Sequence, residues 1–198
     1  MVLRVAALLL AAGSSNRMGT SKQLLCLGDR PVIRHCFDTI ITAGIQTVVV
    51  VINDRSDGIA EALAGTSATI VRNTIPGSQM ADSVRRGLNT LCDDYSGFIV
   101  CLSDHPLIST ATYKAIISAH QAMPDKIIIP VYGGRRGHPS LFPPGAIKEI
   151  ESEATLRDII RKEEGRVALL DVPDEGTILD MDTADDYKMI LKKFIASQ

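Results

Sequence analysis

Apolar runs alternate with helical spacings along the whole chain. Val2–Ala12 and Thr47–Ile52 are almost unbroken hydrophobic stretches, the pattern of strands buried on both faces. Between them, Pro31–Ala43 places Val32, Cys36, Ile40 and Ala43 on one helical face, with Pro31 suited to a helix start and Gly44 to its stop. The pattern next predicts a short helix at Asp57–Leu63 and a strand at Ala68–Val71. A helix follows whose apolar stripe is Met80, Val84, Gly87, Leu88 and Leu91, with Asp82, Arg85 and Arg86 off it. Gly97–Leu102 reads as a buried strand and Thr110–Ala122 as a helix. Strands at Ile127–Val131 and Ser140–Phe142 flank the turn-prone Gly133–Gly137. A helix at Leu156–Lys162, a strand at Val167–Val172 and a last helix with Tyr187, Ile190, Leu191, Phe194 and Ile195 at core spacing complete the series.

Such alternation predicts an α/β protein: a three-layer, mostly parallel open sheet with helices on both faces. No repeat, linker or low-complexity tract interrupts residues 1–198, so one domain is expected. In open sheets of this kind ligands bind beyond the carboxyl ends of the strands, and the strand-end loops carry the candidate chemistry.

Composition narrows the partners. Lys and Arg number 21 against 23 Asp and Glu, and Trp is absent. A balanced charge without clustered aromatics argues against a nucleic-acid or anionic-membrane binder. The four cysteines form no C-x-x-C pair; Cys101 in an apolar run and Cys26 between leucines read as buried thiols, and a reducing cytoplasmic setting fits. Val5–Ala12 imitates a secretory signal, yet its eight residues fall far short of the roughly 18 of a membrane span. They read as a buried parallel strand.

Four strand-end segments stand out. In Leu10–Lys22, the small residues Ala11, Ala12 and Gly13 permit close backbone approach, and Arg17 and Lys22 add two cations. The loop lacks both a Walker A Gly-Lys-Ser/Thr and a G-x-G-x-x-G fingerprint; alone, it suits an anion cradle or an ordinary Gly/Ser turn. Ser103–Pro106 places Asp104 after a buried strand, where a carboxylate serves either a hard cation or a turn cap. In Leu179–Thr183, Asp180 and Asp182 flank Met181, so one of them need face the crevice, and acids near a helix start also favour its dipole. Thr183 with Asp186 forms a capping-box-like start. Gly133–Pro139 is a glycine-rich segment around two arginines, suited to a closing lobe or to an exposed hairpin. His138 shows no carboxylate partner in sequence, and His35 and His120 lie inside helical patterns.

These segments carry a resemblance. Leu10-Ala-Ala-Gly-Ser-Ser-Asn-Arg-Met-Gly-x-x-Lys22 resembles the signature of MobA-like nucleotidyltransferases, in particular the molybdenum cofactor cytidylyltransferase branch. The likeness continues in order through Met80–Gly87, Leu102–Pro106, Arg136–Pro139 and Leu179–Tyr187. Two departures stand in it: Gln79-Met-Ala-Asp-Ser83 replaces Gly-Met followed by small residues, and Leu102-Ser-Asp104 replaces Leu-Gly-Asp.

The resemblance implies a Rossmann-like nucleotidyltransferase fold. It also implies a Mg²⁺-dependent reaction in which CTP and molybdopterin give the cytosine dinucleotide and pyrophosphate, for a recipient molybdenum oxidoreductase. Arg17, Lys22 and Asp104 would be catalytic. Leu10, Ala11, Ala12, Gly13, Ser14, Arg17, Lys22, Met80 and Ser83 would bind nucleotide. Arg136, Gly137 and His138 would line the acceptor side, and Asp104 and Asp182 would hold the metal. The rivals are a guanylyltransferase or sugar-phosphate nucleotidyltransferase of the same fold, and a non-catalytic cofactor maturation factor.

Overall fold

A computed structural model describes residues 3–13, 21–92, 94–152 and 155–196. The strands are β1 (Val5–Ala11), β2 (Cys26–Leu27), β3 (Arg30–Pro31), β4 (Thr47–Asn53), β5 (Thr69–Asn73), β6 (Gly97–Leu102), β7 (Ile127–Tyr132), β8 (Arg135–Arg136), β9 (Ser140–Phe142) and β10 (Val167–Asp171). The helices are α1 (Val32–Thr42), α2 (Asp57–Ala62), α3 (Met80–Leu88), α4 (Thr110–Ala122), α5 (Pro144–Ile147), α6 (Leu156–Arg161) and α7 (Ala184–Ala196).

The main sheet runs β10-β7-β9-β6-β1-β4-β5, with β8 against β7, while β2 and β3 form a separate ribbon. Strands β6, β1, β4 and β5 are parallel, as are β7 and β10. Strand β9 lies antiparallel between β6 and β7. The expected mostly parallel sheet is present, and both faces are covered.

Strand β1 shows why. Ala7, Leu9 and Ala11 pack with Ile33, Phe37 and Ile40 of α1, Ile116 of α4 and Ile190 of α7. Ala6, Leu8 and Leu10 turn to the other face, against Ala81 and Val84 of α3, Ile147 of α5 and Ile159 of α6. This two-sided demand explains the unbroken apolar run. Leu8 and Leu9 are fully buried, each worth roughly 2 kcal/mol against exposure.

Several expectations need correction. Met80 is 49% exposed, because as the first residue of α3 it has no preceding helical turn to cover it. The buried stripe begins at Ala81 and Val84, and the helix ends at Leu88, so Leu91 packs from the turn beyond. Cys26 is exposed rather than buried: along the short ribbon Leu27 takes the inward position, and alternation sends Cys26 out. The first strand starts at Val5, and Val2 lies outside the described residues.

The chain leaves β1 through α1 to β4 on one side, and later returns from β5 to place β6 on the other side of β1. The carboxyl ends of β1 and β6 therefore border a point where the connections diverge, the usual place for a crevice. The amide of Ser103 donates to the carbonyl of Leu10 at 3.2 Å, stitching the two strand tips together.

Candidate functional site

Lys22 is carried on a short turn that its neighbours pin to the body of the protein. Gln23 is buried, accepts from the Ser21 hydroxyl at 2.9 Å and donates from Nε2 to the Ser103 hydroxyl at 3.4 Å. Farther along, the Tyr187 hydroxyl of α7 donates to the Cys26 carbonyl at 2.6 Å. From this base the Lys22 ammonium reaches Asp104 Oδ2 at 2.7 Å and Asp182 Oδ1 at 2.8 Å. Residues 82 and 160 positions away in sequence thus meet on one side chain.

The two carboxylates are held by different devices. Asp104 follows β6, and its carbonyl accepts the Met181 amide at 3.0 Å. Met181 is fully buried while Asp180 and Asp182 on either side of it are exposed; of these two carboxylates, Asp182 is the one that reaches Lys22. The Asp186 carboxylate accepts from the amides of Asp182 and Thr183 and from the Thr183 hydroxyl, while its own amide donates back to that hydroxyl. The capping box at the start of α7 is present. The Thr183 hydroxyl, ahead of the backbone donors, holds the Asp186 carboxyl below its usual pKa.

Burial alone would push the Lys22 ammonium toward neutrality. The Asp104 and Asp182 carboxylates outweigh it and hold the lysine above its ordinary pKa. Among the described residues, two carboxylates meet this one ammonium. Asp104 Oδ1 is buried without a hydrogen-bond partner, an expensive state for a carboxylate oxygen. The Asp104 and Asp182 carboxylates that converge on Lys22 are a hard-donor set fitting Mg²⁺, which takes one or two carboxylates and completes its shell with water and substrate phosphates. Among the described residues no cluster of three or more His, Cys, Asp and Glu side chains forms a self-contained metal cage.

Two imidazoles adjoin this corner. His105 Nε2 stands 3.9 Å from Asp104 Oδ1, and the rings of His105 and His138 lie 5.3 Å apart. The Nδ1 atoms of both rings are buried without partners. Burial, and then the nearby His105, push the His138 pKa down to about 4 against the pull of Asp104. His138, which showed no carboxylate partner in sequence, therefore lies within the electrostatic reach of Asp104.

The backbone around His138 is tightly seated. Its amide donates to the Thr177 carbonyl at 2.9 Å, and the Gly137 amide donates to the Pro130 carbonyl at 2.8 Å. A Cβ on Gly137 would stand 2.6 Å from the Thr177 carbonyl oxygen, so this approach requires glycine. Gly133 and Gly134 take positive φ in the two-residue turn joining β7 and β8. Arg136 sits exposed on β8.

The remaining candidates divide. Leu10 and Ala11 are still within β1 and nearly buried, so only Ala12 and Gly13 lie past its end. Ser83 is buried, and its hydroxyl accepts from Asn73 Nδ2 at 3.1 Å. Asp82 turns back on its own helix, accepting from the Gln79 amide at 2.8 Å and from Arg85 at 2.9 Å. Ser14 and Arg17 lie outside the described residues. Sequence reasoning missed Gln23 and left His105 without a role. The available signal for Gln23 was a polar residue between Lys22 and two leucines.

Comparison with known proteins places this geometry in context. The MobA-like NTP transferase domain pattern matches residues 7–167. Nicotine blue oxidoreductase of Paenarthrobacter nicotinovorans is 27% identical over 94% of this chain and 96% of that protein. Bifunctional protein GlmU of Kineococcus radiotolerans is 35% identical over 59% of this chain, but only 25% of its own length is spanned. Rv0371c of Mycobacterium tuberculosis H37Rv superposes with a TM-score of 0.80 at 28% identity, covering 97% and 99% of the two chains. Its complex with manganese gives 0.76 at 25% identity, covering 97% and 100%. A nucleotidyl transferase of Methanothermobacter thermautotroptrophicus shares the fold, with a TM-score of 0.83 at 21% identity over 98% and 99%.

Proposed function

The chain belongs to the MobA-like NTP transferase family, and on that premise we propose that it is a Mg²⁺-dependent cytidylyltransferase acting on CTP and molybdenum-bound molybdopterin. An oxygen of the acceptor's phosphate attacks the α-phosphorus, the bond from that phosphorus to the β-bridging oxygen breaks, and pyrophosphate leaves. A phosphate monoester is already anionic at neutral pH, so the protein's task is positioning and charge neutralisation.

The observation that carries this reading is the meeting of Lys22 with Asp104 and Asp182 at the carboxyl ends of the strands. Lys22, together with Arg17, holds the β- and γ-phosphates and offsets the charge on departing pyrophosphate. Asp104 and Asp182 are the residues that would hold Mg²⁺, which would neutralise phosphate charge there. The backbone past β1, at Ala12 and Gly13, reads the base edge, supported from within the strand by Leu10 and Ala11, and Ser14 belongs to the same nucleotide side. Met80 and Ser83, at the start of α3, belong to the same nucleotide side. His138, with Gly137 and Arg136, forms the acceptor side; an imidazole kept neutral can donate a hydrogen bond without adding charge to the crevice.

A second reading is an oxidoreductase on this scaffold, favoured by the near full-length match to nicotine blue oxidoreductase. Pyrophosphate release measured with each of the four NTPs, against molybdopterin or a sugar phosphate, separates these readings. Release from CTP with molybdopterin is expected. Release with GTP alone, or with a sugar phosphate alone, moves the assignment to the corresponding rival. Consumption of a nicotinamide coenzyme without pyrophosphate from any NTP overturns the transferase reading.

A further inference from the structure

The seat between Asp104 and Asp182 is already filled by the chain itself. The Lys22 ammonium bridges Asp104 Oδ2 and Asp182 Oδ1 at 2.7 and 2.8 Å, and its side chain is 11% exposed. A divalent ion shared by the same two carboxylates would sit about 2 Å from each oxygen, within the space the ammonium occupies. Two cations that close in a partly buried crevice repel strongly, so both cannot keep this position.

We infer that Lys22 is a placeholder cation: it compensates Asp104 and Asp182 in the free protein and cedes their shared seat to a divalent ion when a polyphosphate gives the ammonium a new partner. The exchange is confined to the side chain. The Lys22 turn is fixed from beneath by Gln23 on Ser103, while the four-carbon stem above it can swing. Asp104 Oδ1, buried and without a hydrogen-bond partner, remains as the oxygen not engaged by the lysine. A divalent ion alone must displace Lys22 without compensation and binds weakly; a divalent ion arriving with a polyphosphate does not. Metal and polyphosphate affinities are then reciprocally coupled. This inference rests on the proposed function only for the identity of the polyphosphate, and it assigns Lys22 a role before any substrate is bound.

The direct test uses Mn²⁺ alone, with free Mn²⁺ read from its paramagnetic resonance signal and no nucleotide present. Lys22→Met keeps most of the stem and removes the charge. It should bind Mn²⁺ at least about tenfold more tightly than the unaltered chain, since an opposing cation has been removed from the seat. Adding Asp182→Asn to Lys22→Met should abolish that gain. Equal or weaker Mn²⁺ binding by Lys22→Met overturns the inference, as does a gain that survives Asp182→Asn.

A second measurement needs no substitution. The Lys22 side-chain resonance of ¹⁵N-lysine-labelled protein should stay in place with millimolar Mg²⁺ and move when inorganic tripolyphosphate is added with Mg²⁺. Movement with Mg²⁺ alone, or none under either condition, overturns the inference. Loss of the proposed function reads differently, as absence of pyrophosphate release from every NTP with the Mn²⁺ results unchanged.

Discussion

Asp104, just ahead of α4, and Asp174, bonded to the start of α4, are treated in opposite ways. Asp174 accepts from the Ser109 amide at 2.9 Å, the Ser109 hydroxyl at 2.8 Å, the Thr112 hydroxyl at 2.5 Å and the Gly176 amide at 3.0 Å. Its acceptor capacity is spent on tying the turn before Thr177 to the start of α4. Asp104 spends one oxygen on the Lys22 ammonium and leaves the other without a hydrogen-bond partner. A structural carboxylate is saturated by its own chain; a carboxylate meant for a ligand keeps capacity in reserve.

The largest effect that could break this contrast is at Asp104. Asp104→Asn should lower pyrophosphate release by about 10³-fold, the scale of removing a charge-stabilising group from a site of this kind, while circular dichroism shows a folded protein. Near-normal turnover would place the chemistry elsewhere. Asp174→Ala should act through the fold instead, with urea unfolding showing a loss of about 2–3 kcal/mol as several donors lose their acceptor. If Asp174→Ala left stability unchanged, its bonds would not be the structural tie described above.

The contrast was only partly legible in the sequence. The apolar runs and helical stripes specify the strands because both sheet faces must be filled, and Gly97–Leu102, Thr110–Ala122 and Ser140–Phe142 have the expected bounds. Asp104 and Lys22 could be singled out as a strand-end acid and a loop cation. Their meeting could not be derived from spacing, since it depends on β6 lying beside β1. Asp174 was silent because its partners come from a different element, and nothing local marks an aspartate that will be saturated. Met80 and Cys26 followed their neighbours' apolar pattern, but they lie at element ends where alternation or the want of a preceding turn leaves the side chain exposed. His138 and His105 meet across elements far apart in sequence, with the His138 amide seated on the Thr177 carbonyl.

That seating sharpens the comparison further, because Asp174 holds the turn on which His138 rests. Gly137→Ala forces a Cβ against the Thr177 carbonyl and should cost about 2 kcal/mol by chemical denaturation. It should also raise the KM for the acceptor more than the KM for the nucleotide. An unchanged acceptor KM would separate this loop from the acceptor side.

The smallest effect lies far from the crevice, at the ion-paired Glu149. It accepts from Arg166 at 2.6 Å and from Lys162 at 3.1 Å. The Arg166 hydrogen bonds, ahead of the opposing burial and the Lys162 contact, bring its pKa from the ordinary 4.5 down to about 2. A carboxyl depressed on folding stabilises the protein above its unfolded pKa, and that contribution fades as pH falls toward the folded value. Glu149→Gln should therefore cost about 1 kcal/mol at neutral pH, with the difference from the unaltered protein shrinking below pH 4.5 and nearly gone at pH 2. Urea melts across that range check it; a pH-independent difference would mean that packing, rather than charge, carries the pair.

The central claim is that Lys22, Asp104 and Asp182 share one polyphosphate and cation site. A crystal soaked with CTP and Mn²⁺, read by anomalous scattering, tests it most directly. The account predicts a manganese peak in contact with both carboxylates and the Lys22 ammonium turned onto the β- or γ-phosphate. Bound CTP with its phosphates elsewhere, or manganese that ignores both aspartates, would contradict it.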